Sequence, residues 1–140
     1  MRILAVGDIV GSVTVEYLEK ALWQFRRANK IDFVIANGEN AAEIRGINAG
    51  EAKRLFDAGV DAMTLGNHAF GQKDIIPLLE SDRRLIRPAN YPAAAPGTGY
   101  TVLDFSGWRV LCINLCGRVF MDSFADPFDT VDKILAREAG

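Results

Sequence analysis

Apolar positions along the chain gather in short runs separated by segments of helical period. Ile3–Val6, Phe33–Ala36 and Ala62–Leu65 are such runs, and each ends in a turn containing Gly or Asn. Their alternation with helical stretches predicts a β-α-β-α-β start. Between the first two runs, Val15, Leu18, Leu22 and Phe25 recur at three- and four-residue steps. That spacing predicts a helix from a Thr14 cap to about Ala28, with the four on its inner face. Arg26, Arg27 and Lys30 stand at its C-terminal end, where the helix dipole favours cations. A second helix is expected from Asn48 to Ala58, burying Ala52, Leu55 and Phe56, with Gly59 just past its C-cap. A third should cover Lys73 to Glu80 and bury Ile75, Ile76 and Leu79. Parallel strands joined by right-handed crossovers follow, and ligands of such sheets bind beyond the carboxyl ends of the strands.

After Ser81 the pattern changes. Leu85-Ile86-Arg87 reads as a short strand, and Pro88 to Gly99 reads as loop. Tyr100–Phe105 and Trp108–Leu115 are apolar runs joined by Ser106-Gly107, a two-residue turn that predicts an antiparallel hairpin. A last helix is expected from Pro127, with Val131, Ile134 and Leu135 on one face and Gly140 as its stop. The alternation then calls for a further strand that does not follow. Residues 1–140 therefore read as a single, incomplete α/β domain with an unfinished sheet.

Composition narrows the class. With 49% hydrophobic residues, 140 residues suffice for one domain with a true core. The 16 basic and 18 acidic residues give a net charge of -2, which argues against a broad nucleic-acid or anionic-membrane footprint. Phosphate binding would have to be local. The first apolar run is interrupted at Gly7-Asp8, too early for a signal-peptide core, and no eighteen apolar residues run together, so a cytoplasmic location is expected. Cys112 and Cys116 lie four apart in an apparent strand, which would separate their α-carbons by about 13 Å. A disulfide needs about 7 Å or less, so buried free thiols on one strand face are expected.

Candidate chemistry sits where the first three strands end. Asp8 follows the first strand in Gly7-Asp8-Ile9-Val10-Gly11, which matches neither the dinucleotide nor the Walker phosphate-binding fingerprint. Asn37-Gly38-Glu39-Asn40 follows the second strand, and Gly66-Asn67-His68 the third. Carboxylate and carboxamide oxygens of this kind suit Mg²⁺, Mn²⁺ or ferrous iron. A carboxylate such as Glu39 is able to bridge two cations about 3.5–4 Å apart, the spacing used to activate water and neutralise a phosphoryl group. His68, the single histidine, would donate a proton to a leaving alkoxide. Taken one at a time these residues fit ordinary capping and turn roles as well; their convergence on one sheet edge favours a site.

Five segments appear in order: Gly7–Gly11, Ala36–Ala42, Thr64–His68, Arg87–Pro92 and Gly117–Met121. Together they resemble the YmdB-like branch of calcineurin-like metallophosphoesterases, enzymes that hydrolyse 2′,3′-cyclic nucleotides. The resemblance implies the N-terminal part of a four-layer α/β/β/α sandwich and a two-metal site, usually iron or manganese. It assigns Asp8, Glu39, Asn40 and Asn67 as metal ligands, Glu39 as the bridge, and His68 as the proton donor. Three further ligand histidines of the family pattern have no counterpart here. Ala69-Phe70-Gly71 and Glu43-Ile44 also depart from the pattern. Arg118 would clamp a phosphate or serve as a surface or structural arginine, and Tyr91 would stack on a base or serve in packing.

The expectation is a metal-dependent phosphodiesterase with cyclic nucleotide as substrate. The chain alone should be inactive or nearly so, unless another chain or segment completes it. A non-catalytic nucleotide- or phosphate-binding module is the alternative. A flavodoxin-like nucleotide-binding domain is a third reading, and antiparallel pairing of Tyr100–Phe105 with Trp108–Leu115 would count against it.

Overall fold

The computed structural model describes residues 1–121 and 124–139. Strands β1 (Ile3–Val6), β2 (Phe33–Asn37), β3 (Ala62–Thr64) and β4 (Leu85–Ile86) form one parallel sheet in the order β1-β2-β3-β4. Helices α1 (Gly11–Asn29) and α2 (Ala49–Asp57) make the first two crossovers. The third is a 3₁₀ turn, Lys73–Ile75, that runs into α3 (Ile76–Ser81). Strands β5 (Tyr100–Phe105) and β6 (Trp108–Ile113) pair antiparallel in full register from Tyr100↔Ile113 to Phe105↔Trp108. Helix α4 (Pro127–Glu138) follows, and the stop assigned to Gly140 lies outside the described residues.

Alternation along β2 explains the layering. Val34 and Ala36 point to the helices and pack with Val15, Leu18, Leu55 and Met63. Phe33 and Ile35 point the other way, onto Leu103, Phe105, Val110 and Cys112 of the antiparallel pair. Both faces of β2 are thus covered, which is why it reads as a continuous apolar run. Phe33 and Phe105 meet edge to face with centroids 5.7 Å apart. Tyr100 alternates outward from Thr101, and its hydroxyl donates to Glu138 at 3.0 Å, tying α4 to the pair. The antiparallel hairpin counts against the flavodoxin-like reading.

Several local expectations hold. Asn48 caps α2 in a reciprocal box with Glu51: its side chain accepts from the Glu51 N–H at 2.8 Å, and Glu51 accepts from the Asn48 N–H at 3.1 Å. Gly59, just beyond the helix, takes φ +109°. Ser106 and Gly107 have φ of 47° and 82°, both positive, so the hairpin turn is of the mirror-image kind that suits twisted strands.

Other boundaries move. Helix α1 begins at Gly11, three residues before the expected Thr14 cap, because Thr14 sits inside the first turn and donates to Val10 O at 2.7 Å. Its inner stripe is Val15, Leu18, Leu22 and Arg26, while Phe25 is half exposed. Arg26 replaces Phe25 because its guanidinium reaches Gly59 O at 2.7 Å, Asp32 O at 2.6 Å and Asp61 at 3.0 Å. Strand β6 ends at Ile113, so Cys116 lies on the loop beyond it and shares no strand face with Cys112. Both cysteines are nonetheless buried and free. Of the expected inner face of α4, Ile134 is buried whereas Leu135 is half exposed. Among the described residues no helix is long and apolar enough to cross a membrane.

Candidate metal centre

Strand register brings the three candidate loops together. The β1–β2 pairing runs from Ile3↔Phe33 to Val6↔Ala36, so Asp8 and Asn37–Asn40 leave the sheet at the same edge. A second, short parallel contact between Val10 and Asn40 closes the loop pair, with Gly11 N–H donating to Asn40 O at 3.0 Å. Gly11 makes that approach at φ +70°. Pairing of Asn37 with Thr64 puts the Gly66–His68 loop alongside.

Side chains of Asp8, Asn40 and His68 then form a hydrogen-bonded row. Asn40 Nδ2 donates to Asp8 Oδ1 at 2.9 Å, and Asn40 Oδ1 lies 2.9 Å from His68 Nδ1. With the amide oriented this way, Nδ1 carries the hydrogen and His68 Nε2 is left for chemistry. Glu39 completes the cluster, its Oε2 accepting from the His68 backbone N–H at 3.4 Å. The carboxylate occupies the space that Gly66 leaves vacant, since a Cβ there would come within 2.0 Å of Glu39 Oε2. Burial, and behind it the charge of Glu39, push the Cys116 thiol up from its ordinary value. Asp8 and Asn67 are exposed, and His68, Glu39 and Asn40 are partly buried.

Asn67 joins this edge through its backbone, its carbonyl accepting from the Tyr91 hydroxyl at 3.3 Å. The Tyr91 ring is stacked on Phe124, centroids 4.6 Å apart, and tilted against Phe70. Arg118 pairs with Asp126 at 3.3 Å on the exposed loop before α4. Arg87 points inward and donates to the carbonyls of Pro88, Ala95 and Pro96, so it is a structural residue.

Sequence reasoning passed over two asparagines that hold the edge in place. Asn90, 1% exposed, donates through Nδ2 to Cys116 O at 2.8 Å and Ala125 O at 3.1 Å, and accepts from Cys116 N–H at 2.9 Å. Asn114 donates to Leu65 O and to Ile86 O, joining the end of the hairpin to the ends of β3 and β4. Asn90 lies inside a segment singled out above, but its full burial was not readable from composition. The departure at Glu43 also has a partner, since Ser12 donates to its Oε1 at 3.0 Å.

Carboxylate and carboxamide oxygens are donors that suit hard cations. The carboxylates of Asp8 and Glu39 and the carboxamide of Asn40 are gathered, with Asn67 on the same edge, and Gly66 makes a cradle for Glu39 that a Cβ would fill. Among the described residues, however, no three His, Cys, Asp or Glu side chains cluster to hold a metal.

The family model described as YmdB-like protein matches residues 4–139. The chain belongs to the YmdB-like family. The chain is 37% identical over 139 residues to the 2′,3′-cyclic-nucleotide 2′-phosphodiesterase of Bacillus subtilis, a match covering 99% of this chain and 53% of that protein. A putative phosphatase/phosphodiesterase of Mycoplasma genitalium is 26% identical over 141 residues, covering 96% of this chain and 50% of its own length. A hypothetical protein from Thermus thermophilus superposes with a TM-score of 0.90 at 40% identity, over 99% of this chain and 54% of that one. A novel phosphatase from Mycoplasma pneumoniae gives 0.88 at 25% identity, over 97% and 50%. This YmdB-like chain therefore has the metallophosphoesterase fold and a hydrolase lineage, and it spans about half the length of the curated relatives it matches.

Proposed function

We propose that this YmdB-like chain supplies one half of a two-metal phosphodiesterase site acting on 2′,3′-cyclic nucleotides. The observation that carries the reading is the row Asp8–Asn40–His68 with Glu39 set into the Gly66 gap, all at the carboxyl edge of the parallel sheet. The name of the Bacillus subtilis relative supports the substrate class. Asp8, Glu39, Asn40 and Asn67 would hold two divalent cations, iron or manganese. When bound, such a pair activates a water and neutralises charge on the phosphoryl group.

The chain's own groups account for the rest. His68, oriented by Asn40, presents Nε2 to the departing ribose oxygen and, as the imidazolium with both ring nitrogens protonated, gives it a proton. Tyr91 holds the Asn67 loop through its carbonyl and forms an aromatic wall with Phe124. Arg118 stands in reserve for the phosphate, exchanging Asp126 for it. Four oxygen donors leave most coordination positions to water, and imidazole nitrogens bind later transition metals more strongly. The 140-residue chain by itself is accordingly inactive or nearly so.

Hydrolysis of 2′,3′-cyclic AMP with added Mn²⁺ or Fe²⁺ tests this directly. Turnover near background is expected from this chain, and robust turnover would overturn the claim of an incomplete site. Binding of the nucleotide in excess chelator, unaffected by Asp8→Asn and Glu39→Gln, would instead establish a metal-free binding module.

A further inference from the structure

Positive charge gathers beside β5, away from the metal edge. A cavity of about 480 Å³ opens there, and three arginines from three elements line it: Arg83 ahead of β4, Arg109 on β6 and Arg137 in the last turn of α4. All three are exposed. Thr98 and Tyr100, both hydroxyl-bearing, line it as well, and Glu138 is the one carboxylate among its described lining residues. That carboxylate is already engaged, by the Tyr100 hydroxyl at 3.0 Å and by Arg137 Nε at 3.9 Å. Among the described residues Arg83 and Arg109 make no ion pair. Asp104 is the register partner of Arg109 and still does not pair with it, and Arg83 reaches only Val102 O at 3.5 Å. Three guanidinium groups against one carboxylate leave an excess of positive charge in the cavity, in a chain whose net charge is -2.

We propose that this cavity is a binding site for a phosphomonoester dianion, held by Arg83, Arg109 and Arg137. Converging guanidinium groups repel one another, and a dianion between them turns that repulsion into attraction. Geometry selects phosphate over carboxylate. A carboxylate has two oxygens in one plane and is satisfied by a single arginine fork, whereas a tetrahedral phosphate offers oxygens to forks arriving from three elements. Thr98 and Tyr100 supply hydroxyls suited to the same oxygens. The volume lies within the roughly 300–1,000 Å³ usual for small-molecule pockets, so an organic group fits beside the phosphate. This site shares no residue with the metal edge. Arg137 lies along α4 from Asp126, the partner of Arg118, at a separation of about 16 Å for a helical rise of 1.5 Å per residue. A ligand bridging Arg83, Arg109 and Arg137 also braces the end of α4 against the strand pair.

The proposal stands apart from the phosphodiesterase reading and is tested without metal. The 140-residue chain is titrated calorimetrically with inorganic phosphate and with ribose 5-phosphate, in chelator and at an ionic strength held constant with chloride. Saturable binding at one site is expected for both. Arg83→Gln, Arg109→Gln and Arg137→Gln, each made alone, should weaken it at least fivefold while leaving the Tm of the unliganded chain unchanged. Arg118→Gln should leave binding at parental strength. Hydrogen exchange at residues 134–138 should slow at least threefold with phosphate bound. No saturable binding, binding that the three arginine variants leave intact, or exchange at 134–138 that phosphate does not change would each overturn the proposal. So would weakening by Arg118→Gln, which would move the phosphate to the metal edge, or succinate binding as tightly as phosphate, which would refute the ligand class.

Discussion

At Gly66 the absence of one methyl group makes room for a carboxylate. An added Cβ would lie 2.0 Å from Glu39 Oε2 and 2.3 Å from its carboxyl carbon, so Gly66→Ala must displace the Glu39 side chain. Isothermal titration with Mn²⁺ should show affinity reduced about 10–100-fold, the range seen when a ligand's support is disturbed. Unchanged affinity would remove Glu39 from the ligand set. Asn90 acts by a different physical route. Truncation to Ala strips partners from a buried N–H and two carbonyls, at roughly 1–3 kcal/mol for each group left unsatisfied. Urea unfolding of Asn90→Ala should show a loss of about 3 kcal/mol, and a loss below about 1 kcal/mol would mean that the Cys116 and Ala125 backbone groups find other partners. The convergence of Asp8, Glu39 and His68 was legible because each closes an apolar run. Asn90 and Asn114 were not legible, because an asparagine's burial depends on which distant carbonyls come within reach.

Among the elements, α2 and α4 owe their starts to side-chain caps, Asn48 and Asp126. Asn48→Ala breaks a reciprocal box and should cost about 1 kcal/mol in thermal or urea unfolding. Asp126 caps α4 by accepting from Phe128 N–H at 2.9 Å and Asp129 N–H at 3.2 Å. These backbone hydrogen bonds, chiefly that from Asp129, with Arg118 assisting, hold its carboxyl below the ordinary value of 3.8. A depressed folded pKa contributes stability that is full above the unfolded value and is lost as pH falls through the lower, folded one. Acidification below the usual carboxylate range should therefore fray the first turn of α4 and release Arg118. Amide shifts of Phe128 and Asp129 should titrate together with a midpoint below 3.8, and Asp126→Asn should abolish the transition. Helix α1 shows where element-level reading misleads. The three- and four-residue period admits Phe25 or Arg26 as the last inner residue, and only the position of Asp61 and of two carbonyls decides for Arg26.

For the whole molecule, the apolar runs, turn residues and helical period determine the parallel start, the hairpin and their order, since backbone geometry and side-chain alternation are local. They also place Asp8, Glu39, Asn40, Asn67 and His68 at one sheet edge, because parallel strands joined by crossovers bring successive loops to the same end. Sequence could not order the strands beyond adjacency, nor reveal that the antiparallel pair covers β2 to β4 and leaves β1 open. That depends on how far one sheet reaches over another, a matter of long-range packing. The roles of Asn90, Asn114, Gly66 and Arg26 belong to the tertiary structure for the same reason. Each is fixed by atoms many residues away, and a side chain's own chemistry says what it is able to bind but not what will be beside it.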